Sequence, residues 1–241
     1  MNENKLSAMS KFFAGFLLYF LNISFTLSFN SYGITIPVTF IIGAILIVLG
    51  IIEYLKVQNS TALLIAMIAV GASVIITIVS MFIPMKVETN IQEAMSNFLK
   101  DNDSKAFAIE AGKYLKEVFG RQSAGIIVEV ITSALATISL ACGLKNEGES
   151  GEKLFRHGIL ASSFYAGSSV SLIAAYALLI SLASQLSSGD VSALSALGLV
   201  ALTVAFSGLA IARLVFAIRY LIDLFGIRSN LKMAVQIQDI N

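Results

Sequence analysis

The chain has 241 residues, 57% of them apolar and 13% charged, with a formal net charge of +1. A soluble domain carries roughly a quarter of charged residues, so this composition excludes an ordinary water-soluble domain and points to a bilayer. The even charge balance also excludes nucleic acid as a general partner, because no basic excess is left to neutralise phosphates.

The pattern predicts an all-α fold: one polytopic membrane domain over 1–241, a helical bundle of about six transmembrane helices in two sets of three. Each apolar run is long enough, at about 1.5 Å per residue, to cross a hydrocarbon layer of about 30 Å. Helices are required there because lipid offers no partner to an open backbone. The first expected span is 12–29, crowded with Phe and Leu. It is read as a retained span rather than a cleaved signal, because no small-residue cleavage site follows and residues 29–33 look like a tight turn. The second is 34–55, with Pro37 near its start, where a helix tolerates a missing N–H. The third is 61–83, closed by Pro84. The linker 56–60 is short enough to demand an antiparallel hairpin.

Residues 86–121 form the one sizeable charged stretch, with six basic and six acidic residues. Val87, Ile91, Met95 and Phe98 recur at helical spacing, as do Phe107, Ala111, Tyr114, Leu115 and Val118. Two short amphipathic helices on the membrane surface are predicted, the second capped near Ser104 and ended by Gly120. Their mixed charge argues against strong attraction to anionic lipid.

The remaining spans are 123–144, 159–186 and 193–225. The last is longer than one crossing needs, which implies tilt or a helix continuing into water. These three runs are rich in small residues. Ser163, Gly167, Ser171 and Ala175 fall every four residues, and Ala201, Ala205, Gly208 and Ala212 follow one helical face. In lipid, apolar surface gives helices no drive to associate, whereas small residues let backbones approach. The last three runs are therefore expected to form the tight bundle, with the bulkier first three meeting more lipid.

Lys and Arg near the span ends set the threading. With the N-terminus inside, ten basic residues fall on the inner pieces against six in the central stretch. Both termini are expected to be cytoplasmic, in the plasma membrane of a prokaryote.

Intramembrane charge is the place to look for chemistry. Glu129 is expected to face the bundle, to pair or to stay protonated, because a charge at mid-bilayer costs about 3 kcal/mol on insertion scales. Arg213 is the available partner, although the span boundaries place it deeper than Glu129. Arg219 and Asp223 stand four apart and are expected to pair on one helical face, as are Glu53 and Lys56. Cys142 reads as a small packing residue.

No catalytic, cofactor-binding or metal-ligating set is expected. His157 is the only histidine, and haem, di-iron and zinc sites need several His or clustered carboxylates and thiols. The segment 148–153 lacks the spacing of a phosphate loop and reads as a flexible cytoplasmic turn. The expected function is a non-catalytic membrane subunit that assembles with itself or with other membrane chains. The alternative is a channel or carrier for a small solute or ion, using Glu129 and Arg213. A third reading is a lipid-headgroup enzyme using Arg156, His157 and Asp223.

Overall fold

The computed structural model describes residues 2–21, 25–29, 32–82, 93, 95, 96, 99, 100, 104–189 and 192–238. The elements in order are α1 (Asn2–Leu21), β1 (Phe25–Phe29), β2 (Tyr32–Ile36), α2 (Val38–Leu55), α3 (Thr61–Phe82), α4 (Ser104–Gly143), α5 (Gly148–Ser188) and α6 (Ala193–Gln238). The protein is a bundle of long apolar helices, as its composition predicts. Among the described residues, α2 to α6 are each long and apolar enough to cross a membrane.

The helix boundaries depart from the expected spans where local chemistry overrides hydropathy. The first run is not one helix over 12–29. α1 ends at Leu21, and β1 pairs antiparallel with β2, with Phe25 opposite Ile36 and Phe29 opposite Tyr32. Both segments alternate large apolar residues with Thr, Ser or Gly, a period-two pattern that suits strands. The second span consequently starts at Val38, with Pro37 at the N-cap position. The third agrees with its expected range, ending at Phe82.

The first expected amphipathic helix lies mostly outside the described residues. The second begins at Ser104 as expected but does not stop at Gly120; α4 runs on unbroken to Gly143. One glycine in a helix interior costs only about 1 kcal/mol against Ala, which the hydrogen bonds on either side outweigh. The segment 148–153 is likewise not a flexible turn. It forms the first turns of α5, where Glu149 and Lys153 pair at 2.7 Å with four-residue spacing. Gly148 takes φ 74°, a left-handed value suited to glycine, at the junction after α4. α6 does continue well past residue 225, to Gln238.

The chain forms two compact units. The first comprises Met1–Ile83, Glu129–Ser163 and Ala212–Asn241; the second comprises Pro84–Val128 and Phe164–Ile211. In the first unit, α1 is the buried centre. Ala8, Met9, Phe12 and Phe16 are at most 1% exposed. The reason is an aromatic face at helical spacing that meets two other helices. Phe16 lies 5.2 Å from Tyr220 and Phe13 lies 5.8 Å from Phe225, both on α6. Tyr19 lies 4.7 Å from Phe40 on α2. α1 and α2 also touch backbone to backbone: a Cβ on Gly43 would meet the Gly15 carbonyl oxygen at 2.6 Å.

The expected division of packing does not appear in the first unit. Its core draws on all six helices, α1 and α2 most heavily, with Leu140 of α4, Leu154 of α5 and Tyr220 and Leu224 of α6 fully buried in it, whereas no residue of the most apolar stretch of α6 is buried. Small residues permit close approach but do not compel it. Here interdigitating rings on α1 supply the dispersion contacts instead.

One end of the first unit gathers several segments. Lys5 of α1 donates to Gln58 in the 56–60 linker at 3.1 Å and to Glu147 after α4 at 2.6 Å. Tyr54 of α2 also donates to Glu147. Arg228 of α6 donates to Ser10 at 2.9 Å. The start of α1, the α2–α3 linker, the α4–α5 turn and the late part of α6 therefore meet.

In the second unit, a Cβ on Gly112 of α4 would meet that of Ala183 of α5 at 3.3 Å, and Phe119 lies 6.4 Å from Tyr176. Gln185 closes the α5–α6 turn by donating to Ser195 and accepting from the Ser192 backbone.

Candidate functional site

Two polar constellations stand out in the first unit, and each joins residues distant in sequence. The lower one is His157 on α5 with Asp223 on α6. Nδ1 and Oδ2 are 2.5 Å apart, and the side chains are 19% and 9% exposed. The His157 ring lies 5.9 Å from Phe216, and Gly158 next to it lets Tyr220 approach. Asp223 thus pairs with His157 and not with Arg219, as the four-residue spacing suggested. Arg219 is exposed, its guanidinium 5.8 Å from the Phe216 ring. A buried carboxylate gains more from a partner fixed in the core than from a flexible, solvated Arg on its own helix. Glu53 follows the same rule: it accepts from Lys11 of α1, while Lys56 acts on it only at longer range.

The upper constellation surrounds Tyr19 at the far end of α1, about 21 Å along the helix from Lys5. Ser73 of α3 and Ser133 of α4 stand beside its hydroxyl, with Glu129 and Arg213 within electrostatic reach. α4 turns its hydroxyl-bearing residues inward here: Thr132, Ser133 and Thr137 are all buried. Thr132 donates to the Glu129 carbonyl, and Ser73 to the Val70 carbonyl.

The depth difference expected between Glu129 and Arg213 is absent. Tyr220 donates to the Thr137 carbonyl at 3.3 Å and so sets α4 and α6 in register. Glu129 lies eight residues before that contact on one helix and Arg213 seven before it on the other, both roughly 11 Å away. Glu129 is nevertheless exposed and Arg213 half-buried, so the carboxylate is not enclosed by the bundle as expected.

The small-residue positions are scattered in environment. Ser171 is buried and Ser163 exposed, while Gly167 is half-buried against Leu209 of α6. Ala175 lines an apolar groove of about 300 Å³ in the second unit, with Leu172, Tyr176, Thr203 and Phe206. Ala201, Ala205 and Gly208 are exposed, and Ala212 is half-buried. Cys142 is exposed as well, contrary to its reading as a packing residue.

Sequence reasoning missed the surroundings of Tyr19, and it grouped His157 with Asp223 only as edge residues of the lipid-headgroup reading, without their direct contact. The signal for the first was the spacing of Phe12, Phe16 and Tyr19 on one face of α1, which marks a buried stripe. Nothing local pointed to the second, since its partners are 66 residues apart. Comparison with protein-family models, curated proteins and solved structures finds no match to this chain.

Proposed function

We propose that the protein is a non-catalytic integral membrane subunit that assembles with itself or with other membrane chains through α6. The observation that supports this is the α6 surface. Ala201, Ala205 and Gly208 share one face and are exposed, within a stretch of which nothing is buried. Such a face allows a second helix to approach at backbone distance, which bulky lipid-facing side chains prevent. In this reading the chain sits in a cytoplasmic membrane with both termini inside. The meeting of Lys5, Gln58, Glu147 and Arg228 at one end of the first unit supports that threading, because it joins the inner segments richest in Lys and Arg.

The test is native mass spectrometry of the full chain in mild detergent, with Gly208→Ile as the variant. The wild type is expected to run as an oligomer or with a co-purifying membrane chain, and Gly208→Ile to lower that fraction at least threefold. A wild type that is monomeric and partner-free at every concentration overturns the assembly reading.

A channel or carrier function is the second reading. It is favoured by the buried hydroxyls of Ser73, Thr132, Ser133 and Thr137 in an otherwise apolar bundle.

A further inference from the structure

A groove of about 300 Å³ runs between α5 and α6 in the second unit. α5 lines it with Leu172, Tyr176 and Leu179, and α6 with Leu199, Thr203 and Phe206. Each set recurs every three or four residues and so shares one helical face. At about 100° per residue, the α6 set lies opposite Ala201, Ala205 and Gly208. A helix packed on those small residues therefore leaves the groove open.

Depth decides where an occupant comes from. At about 1.5 Å per residue, the lining falls roughly 9–24 Å from the α5–α6 turn, within a hydrocarbon layer of about 30 Å. An occupant enters sideways from the lipid. One turn of a helix, about 5.4 Å long and 10 Å across, takes up roughly 400 Å³. Another span therefore does not fit inside, whereas a single chain does.

Two hydroxyls interrupt the apolar lining, at nearly equal depth. Tyr176 stands roughly 18 Å before the end of α5 and Thr203 roughly 15 Å after the start of α6. Among the described residues, the Tyr176 hydroxyl makes no hydrogen bond. Thr203 donates to the Leu199 carbonyl at 2.8 Å, which leaves its oxygen as an acceptor. In hydrocarbon no water supplies the missing bonds, and neither does a plain acyl chain. A carbonyl or ether oxygen meets the phenol alone. An alcohol both accepts from Tyr176 and donates to Thr203. None of the described lining residues is charged, so an ionised head finds no compensation.

We propose that this groove binds a neutral lipid alcohol, its hydroxyl on Tyr176 and Thr203 and its apolar body along Leu172, Leu179, Leu199 and Phe206. The site stands independently of assembly through the opposite face of α6.

Photo-crosslinking of the full chain in phosphatidylcholine nanodiscs tests it. The probe is a dodecanol with a diazirine in its chain, and labelled peptides are mapped by mass spectrometry. Label is expected on 172–179 and 199–206. Excess dodecanol is expected to lower it at least threefold, and dodecane to leave it unchanged. Tyr176→Phe and Thr203→Val, both close in size to the originals, are each expected to raise the competing concentration of dodecanol at least threefold. Label absent from the groove, or spread evenly over the lipid-facing sides of α2 and α3, overturns the site. Equal competition by dodecane or by dodecanoate overturns the assigned class. Competition unchanged in either variant overturns the assigned residues.

Discussion

Two tyrosines in one aromatic cluster make opposite predictions. Tyr220 donates to the Thr137 carbonyl from a fully buried position. Tyr220→Phe is expected to cost about 1 kcal/mol, read as a fall in the thermal midpoint in detergent. Tyr19 has no such bond, so Tyr19→Phe should hold or raise that midpoint. His157 is the costlier site. Removing it leaves Asp223 buried without its ring partner. His157→Ala is expected to destabilise by roughly 2 kcal/mol, with His157→Ala/Asp223→Ala less harmful than the two single losses added together. A double-mutant cycle of thermal midpoints checks this; additive losses refute the coupling.

At the scale of elements, the contact between α1 and α2 is the most sensitive. Gly43→Ala puts a methyl against the Gly15 carbonyl and the Tyr19 backbone, and overpacking of this sort costs about 1–3 kcal/mol. Gly71 of α3 has nothing within 4 Å of the same position, so Gly71→Ala should be neutral or gain up to about 1 kcal/mol from helix propensity. Equal effects from the two changes would contradict the packing. Long apolar helices were legible because hydropathy over eighteen or more residues outweighs local detail, and α3 came out within a residue of its reading. The hairpin 25–36 was hidden inside two apolar runs, where period two and period 3.6 are hard to separate over five residues. α4 was split at Gly120 because a glycine beside charge resembles a helix end, whereas backbone hydrogen bonding carries through it. The pairing expected of Glu129 with Arg213 rested on the scarcity of membrane charge alone. The surroundings of Tyr19 were not legible, since a tyrosine among phenylalanines carries no mark of whether its hydroxyl finds a partner.

For the molecule as a whole, the gathered end of the first unit fixes which segments share a side. Lys56→Cys and Lys145→Cys, in a Cys142→Ser background, are expected to react with an impermeant maleimide from the same face of the membrane. In right-side-out vesicles that face should be protected until the membrane is opened. Labelling of one position and protection of the other would separate segments that Lys5 and Glu147 draw together.

The burial of α1 has an effect on biosynthesis. α1 is less oily than α2 and α3, with Glu3, Lys5 and Lys11 in its first half. Its resting place is completed by Tyr220, Phe225 and Arg228, which leave the ribosome some two hundred residues later. The earliest helix made must therefore wait, only partly covered by α2 and the segments up to Glu147, for the chain to be almost finished. Products cut short before α6 would present an unmet row of rings to the quality-control machinery, and that is where faulty copies of this protein should be recognised and cleared.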